Sequence, residues 1–327
     1  MRTVFIMFPL LLSLACSKET CRKTGLIEKQ EVNIRIKRLE KELFAASSPQ
    51  EVREILLVNP DYTLGFLDGD QYPNIDILAD KIYQLYQDAY IDTLYTEASE
   101  VYADISGIKQ QLEEVVGRLQ TLFPEEKSPD LVTTVTGMYN DLLITDSLII
   151  VGIDYFIGDE ATYRPINIPN YMLKRYDREH LVPIIAKFMA TTQVSTSPKN
   201  TLLSEMIDFG KTYYLTSRLL PCVPDSILMG YSAEEMEAVV DNEKIIWANF
   251  VENKILYETS HFIKQKFLGE RPNIHEISAK CPGRVGAWIG WQIVEDYMRK
   301  NKEVDILTLL DDTDHDKIFS KSGFKPK

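Results

Sequence analysis

The segment Ser147-Leu148-Ile149-Ile150-Val151-Gly152-Ile153 constrains the fold more than any other. It is apolar without alternation and rich in β-branched residues, so it reads as a strand buried on both faces. Such a strand needs helices to cover it. Leu131 to Thr136, also β-branched, supplies a second strand, with Gly137 to Asp146 as the connection. Val32, Ile34 and Ile36 alternate like a short strand, which runs into the helical spacing of Leu39, Leu43 and Phe44. Ser48-Pro49-Gln50-Glu51 starts a helix with a capping serine and a first-turn proline, and Asn59-Pro60 closes it. From Ile75 to Leu122 the pattern is helical, broken by Asp104 to Gly107 and ended by Pro124. Further helices are expected at about 171–190, 201–219, 232–258, 283–300 and 303–311, with no internal repeat. The expected fold is α+β and mainly helical, a small β-sheet packed by helices. Its N-terminal half is helical to about residue 128, and residues 129–327 form an α+β half.

The N-terminus carries an address. Arg2 precedes an apolar run from Val4 to Leu14, too short to span a bilayer and fitting a secretory signal. Leu12-Ser13-Leu14-Ala15-Cys16 looks like a lipobox, in which the thiol receives diacylglycerol and the chain is cut before it; Ser13 stands where leucine is preferred. The plainer alternative is an ordinary signal peptide with an incidental Cys16. The expected organisation is a signal peptide at 1–15, a polar tether at 16–26 and a single domain over 27–327. Loss of residues 1–15 removes Arg2 and no acid, so the net charge of −13 becomes −14. That charge gives no reason to bind nucleic acid or an anionic membrane surface. After Cys16, three cysteines remain: Cys21, Cys222 and Cys281. An odd number in an oxidising compartment leaves at least one thiol unpaired within the chain. A Cys222–Cys281 bridge and two buried thiols both stand as readings. No second apolar segment reaches spanning length.

Ser232 and Glu235 form a capping box, and the stripe that follows runs through Met236, Val239, Val240, Ile246, Trp247 and Phe250. Glu243 falls seven residues from both Met236 and Phe250. Pointing inward, it needs a partner, a proton or a metal; at the stripe's edge, it reaches water. Lys211 borders the face formed by Leu203, Ile207, Gly210 and Tyr214, and is a candidate buried partner for Glu243 unless it snorkels to solvent. In Cys281 to Val294, Gly283, Gly286 and Gly290 fall on one helix face beside Arg284. Glycines inside a helix cost roughly 1 kcal/mol each against alanine, so a neighbouring element or a ligand must approach that face closely. Trp288 and Trp291 are either core or a stacking platform for sugar. His275-Glu276-Ile277-Ser278-Ala279 lacks the second histidine of a zinc motif. Asp312 to Asp316 imitates the start of a calcium loop, but Lys317 and Gly323 replace its glycine and glutamate, and a solvated acidic tail is expected. No phosphate loop, nucleophile elbow or Cys/His pattern is present, so no catalytic residue, metal or cofactor is expected. A carboxylate pair for glycoside hydrolysis has no fixed spacing and stays open, with Asp154 and Glu243 as candidates.

Several segments together resemble the gliding motility lipoprotein GldB family of Bacteroidota. They are the leader, Arg38 to Phe44, Ser147 to Gly158, Asp208 to Lys211, Gly230-Tyr231-Ser232 leading to Glu243 and Trp247, and Pro282 to Trp291. The resemblance implies a non-catalytic envelope lipoprotein of the gliding and protein-secretion machinery. Such a protein is anchored by lipid, faces the periplasm and has envelope proteins as partners. The same layout looks like a family of zinc-dependent proteases in which the helix equivalent to 203–215 carries paired histidines and a downstream glutamate, near Glu243, is the third ligand. Both histidines are missing around Asp208 to Lys211. That implies a degenerate metallopeptidase-like scaffold with Lys211 beside Glu243 in place of a metal. The alternative is an envelope hydrolase, peptidase or glycosidase, with an unrecognised carboxylate site.

Overall fold

The computed structural model describes residues 21–22 and 24–326; Cys16 and the leader lie outside them. A four-stranded mixed sheet has the order β1-β2-β4-β3, with β1 at Ile36–Arg38, β2 at Asp130–Thr134, β3 at Leu142–Ile144 and β4 at Leu148–Gly152. β1, β2 and β4 run parallel, in register Ile36 with Leu131 and Leu131 with Ile149, while β3 is antiparallel to β4. The connection expected between the second and third strands thus contributes an edge strand of its own. Ile149, Ile150 and Val151 are fully buried, as required of a strand without polar alternation. The parallel step from β1 to β2 is made by the N-terminal helices, including Pro49–Leu57, Ile75–Leu85, Ala89–Val101 and Ser106–Leu122. Ser48 caps the first of these, its hydroxyl accepting from the Glu51 amide at 3.3 Å.

The second half is a helical layer. Its main members are Arg178–Thr192, Leu202–Leu219, Ala233–Asp241, Glu243–Glu252, His261–Leu268, Val285–Lys300, Ile306–Asp311 and His315–Ser322. The capping box of Ser232 and Glu235 forms as the sequence indicates. Three expectations change. The helix expected at about 171–190 is two, Asn170–Leu173 and Arg178–Thr192, the second capped by Asp177. The helix expected over 232–258 breaks at Asn242, so that Glu243 opens a new helix rather than sitting mid-stripe. The acidic stretch near Asp312 is a helix start rather than a solvated tail: the Asp314 carboxylate accepts from the Lys317 amide at 3.1 Å and caps His315–Ser322.

A disulfide joins Cys21 to Cys222, 201 residues apart, and Cys281 is a buried free thiol. Cys222 is therefore bridged to Cys21, not Cys281. Arg22 reinforces the link: its amide donates to Pro221 O at 2.8 Å, its guanidinium donates to Val223 O at 3.1 Å, and it pairs with Asp225. The segment read as tether is thus fastened to the body at Cys21 and Arg22. Among the described residues, no helix is long and apolar enough to cross a membrane.

Candidate functional site

The residues singled out in the sequence gather around the crossing of Leu202–Leu219 with Val285–Lys300. Thr201 caps the first helix, accepting from the Ser204 amide at 3.2 Å. The two backbones touch. A Cβ on Gly210 would stand 2.3 Å from Gly290 O, and one on Gly290 would stand 1.7 Å from Met206 O. Gly286 faces Leu268 and Phe267, and Gly283 lies against the Arg271 backbone. The space beside these glycines is filled by protein.

Lys211, one residue beyond Gly210, is fully buried. Its ammonium donates to Asp312 O at 2.6 Å, Ser195 O at 3.3 Å and Leu310 O at 3.4 Å. Burial lowers its pKa, and Asp208, Asp312 and Asp311 pull it back up. Beside it, Asp208 Oδ1 lies 3.2 Å from His315 Nε2. Burial pushes Asp208 up to about 7 and His315 down to about 4, with Lys211 opposing the first shift and adding to the second. Lys211 ties the Leu202–Leu219 helix to the C-terminal segment through Leu310 and Asp312, with Asp208 and His315 packed beside it.

Glu243 is elsewhere. It is buried and accepts from Trp288 Nε1 at 3.3 Å. The structure does not bring Lys211 and Glu243 together: the charges nearest Lys211 are the aspartates, and its hydrogens go to main-chain carbonyls. The helical stripe that suggested the pair is interrupted at Asn242, one residue before Glu243. Asp154 is also buried, its Oδ2 accepting from the Met138 amide at 2.7 Å and the Thr136 amide at 3.1 Å. Burial raises it to about 6. It holds the turn after β2, whereas Glu243 holds the tryptophan helix, so the two carboxylates serve different elements. Among the described residues, no three His, Cys, Asp or Glu side chains are placed to hold a metal ion.

Arg284 precedes the Val285–Lys300 helix with φ at 62°, a left-handed conformation that costs a non-glycine residue energy. Only 7% of it is exposed. Its Nη1 donates to the Tyr213 hydroxyl at 3.1 Å, its Nε lies 3.1 Å from Glu270 Oε1, and its guanidinium stands 4.9 Å from the Tyr231 ring centre. Arg175 grips the same Glu270 with both Nη atoms, at 2.7 and 3.1 Å, and donates from Nε to Gly230 O. Lys187 Nζ lies 6.0 Å from the Tyr213 ring centre. Burial alone would raise the Tyr213 pKa, but Lys187, Arg284 and Arg175 outweigh it and hold the hydroxyl below its ordinary value. Of this cluster, sequence reasoning reached only Arg284. Lys187 lies on Arg178–Thr192, whereas Arg175 and Glu270 lie in two separate connections, and no spacing in the chain links the three.

The fold and these clusters define a mainly helical α+β protein organised around a glycine-mediated helix crossing. A family model described as gliding motility protein GldB matches residues 20–326. The chain belongs to that family. No curated protein and no solved structure matches it.

Proposed function

We propose that the protein is a lipid-anchored component of a bacterial gliding and secretion machinery, held in the envelope through Cys16 and acting without catalysis. Family membership over residues 20–326 carries this reading. The leader ending in Ala15-Cys16 supports the anchor. The chemistry of the Asp208–Lys211 segment supports a structural role. Where a zinc peptidase would present its histidines, Lys211 is committed to three main-chain carbonyls. Its partners are envelope proteins, recoverable by affinity purification from detergent-solubilised membranes. Cys16→Ala should abolish palmitate labelling and release the protein from membranes. Retained labelling would refute the anchor, and stoichiometric zinc in the purified protein would refute the non-catalytic role.

A further inference from the structure

The cluster around Arg284 has more positive charge than a structural ion-pair network needs. In such a network cations and carboxylates balance. Here Arg175, Lys187 and Arg284 converge on Tyr213, while Glu270 is the carboxylate that bridges the two arginines. Three cations against one carboxylate leave a formal charge of +2, inside a protein whose net charge is −13. Among the described residues, Lys187 has no carboxylate within ion-pair distance. Arg284 Nη2 is enclosed and has no acceptor, and a buried guanidinium hydrogen without an acceptor is costly. The depressed pKa of the buried Tyr213 hydroxyl reports the same unbalanced field. Glu270, with 36% of its side chain exposed, brings the cluster to the surface.

We propose that Arg175, Lys187 and Arg284 form a binding site for a phosphate dianion, either free or as the terminal phosphate of a phosphomonoester. The residual charge selects a dianion over a carboxylate. Guanidinium groups supply the paired donors that phosphate oxygens accept, and the ligand gives Arg284 Nη2 the acceptor it lacks. Glu270 acts as the resident anion, which the ligand joins or displaces. This reading is independent of the lipid anchor and of the motility machinery.

Isothermal titration of the purified full-length protein with inorganic phosphate, against chloride at matched ionic strength, tests it. Phosphate should bind saturably. Lys187→Gln should weaken binding about tenfold or more, the scale of one charge-assisted contact. Glu270→Gln should tighten it, a direction that a purely structural carboxylate would not produce. Arg284→Gln should abolish binding; if it does not fold, Lys187→Gln and Glu270→Gln still decide the matter. Vesicles containing phosphatidic acid that compete with inorganic phosphate would identify a lipid headgroup as the source, and binding of free phosphate alone would identify a soluble ligand. Heat no greater than that of chloride, or phosphate affinity unchanged in Lys187→Gln, would overturn the proposal.

Discussion

Gly290→Ala sets intrinsic helix propensity against packing. Propensity alone favours the change by about 1 kcal/mol, because alanine loses less backbone entropy on becoming helical. The structure reverses the sign. The new Cβ would stand 1.7 Å from Met206 O and 2.4 Å from Met206 C, far inside the ordinary contact range that begins at 3.4 Å. Both obstacles are main chain of the Leu202–Leu219 helix, so no side-chain rotation relieves them. The helices must part at the point where Gly210 also lies against Gly290 O. Overpacking a core costs about 1–3 kcal/mol when side chains can adjust, so a net loss of about 3 kcal/mol or more is expected here. Gly107 is the control: it lies in the first turn of Ser106–Leu122, and a Cβ there meets nothing within 4 Å. Gly107→Ala should be neutral or stabilising by up to about 1 kcal/mol. Urea denaturation followed by far-UV circular dichroism reads both variants. A Gly290→Ala protein as stable as its parent would refute the backbone contact at the crossing.

Other perturbations follow from the same geometry. Cys21→Ser opens a loop of 201 residues; loop entropy gives about 5 kcal/mol as its upper bound and native disulfides typically lose about 2–5, measurable as a lower urea midpoint that reducing agent reproduces in the parent. Lys211→Met should cost a few kcal/mol in the same assay, because it strips the Asp312, Ser195 and Leu310 carbonyls of their buried donor. Asp154 makes stability pH-dependent: its folded pKa of about 6 lies above the ordinary aspartate value of 3.8, so the folded state holds the extra proton between them. Its contribution is therefore present below about pH 4 and lost as pH rises through about 6. Asp154→Asn should remove that fall from a stability profile measured over this window, and an unchanged profile would count against the buried carboxylate as its source.

The sheet was legible because its information is local. A run as apolar, short and β-branched as Leu148 to Val151 reads as a strand with both faces covered, and the capping groups of Ser48 and Ser232 mark their helices within four residues. The strand order was not legible, since β3 lies inside what reads as a connection and pairs through its backbone. Periodicity fails differently at Glu243. A stripe gives the direction of a side chain only while the helix continues, and Asn242 resets it. Lys211 and Glu243 both go inward but towards different neighbours, information that resides in helix azimuths. The glycine spacing near Gly290 announced a close approach without naming what approaches. The pairing of Cys21 with Cys222 spans 201 residues, and nothing along the chain ranks it above the other pairings of three thiols.

That bond also decides how the molecule carries load. Tension applied upstream of Cys21, balanced anywhere beyond Cys222, passes through the sulfur atoms and bypasses residues 22–221. The whole sheet and the N-terminal helices belong to this bypassed loop. Force instead enters at Cys222, three residues after the Leu202–Leu219 helix ends, beside the region where that helix locks onto Val285–Lys300. For a member of a gliding motility family, the pulling point is thus set by a covalent shortcut, and the sheet is spared from being peeled strand by strand from its N-terminal edge.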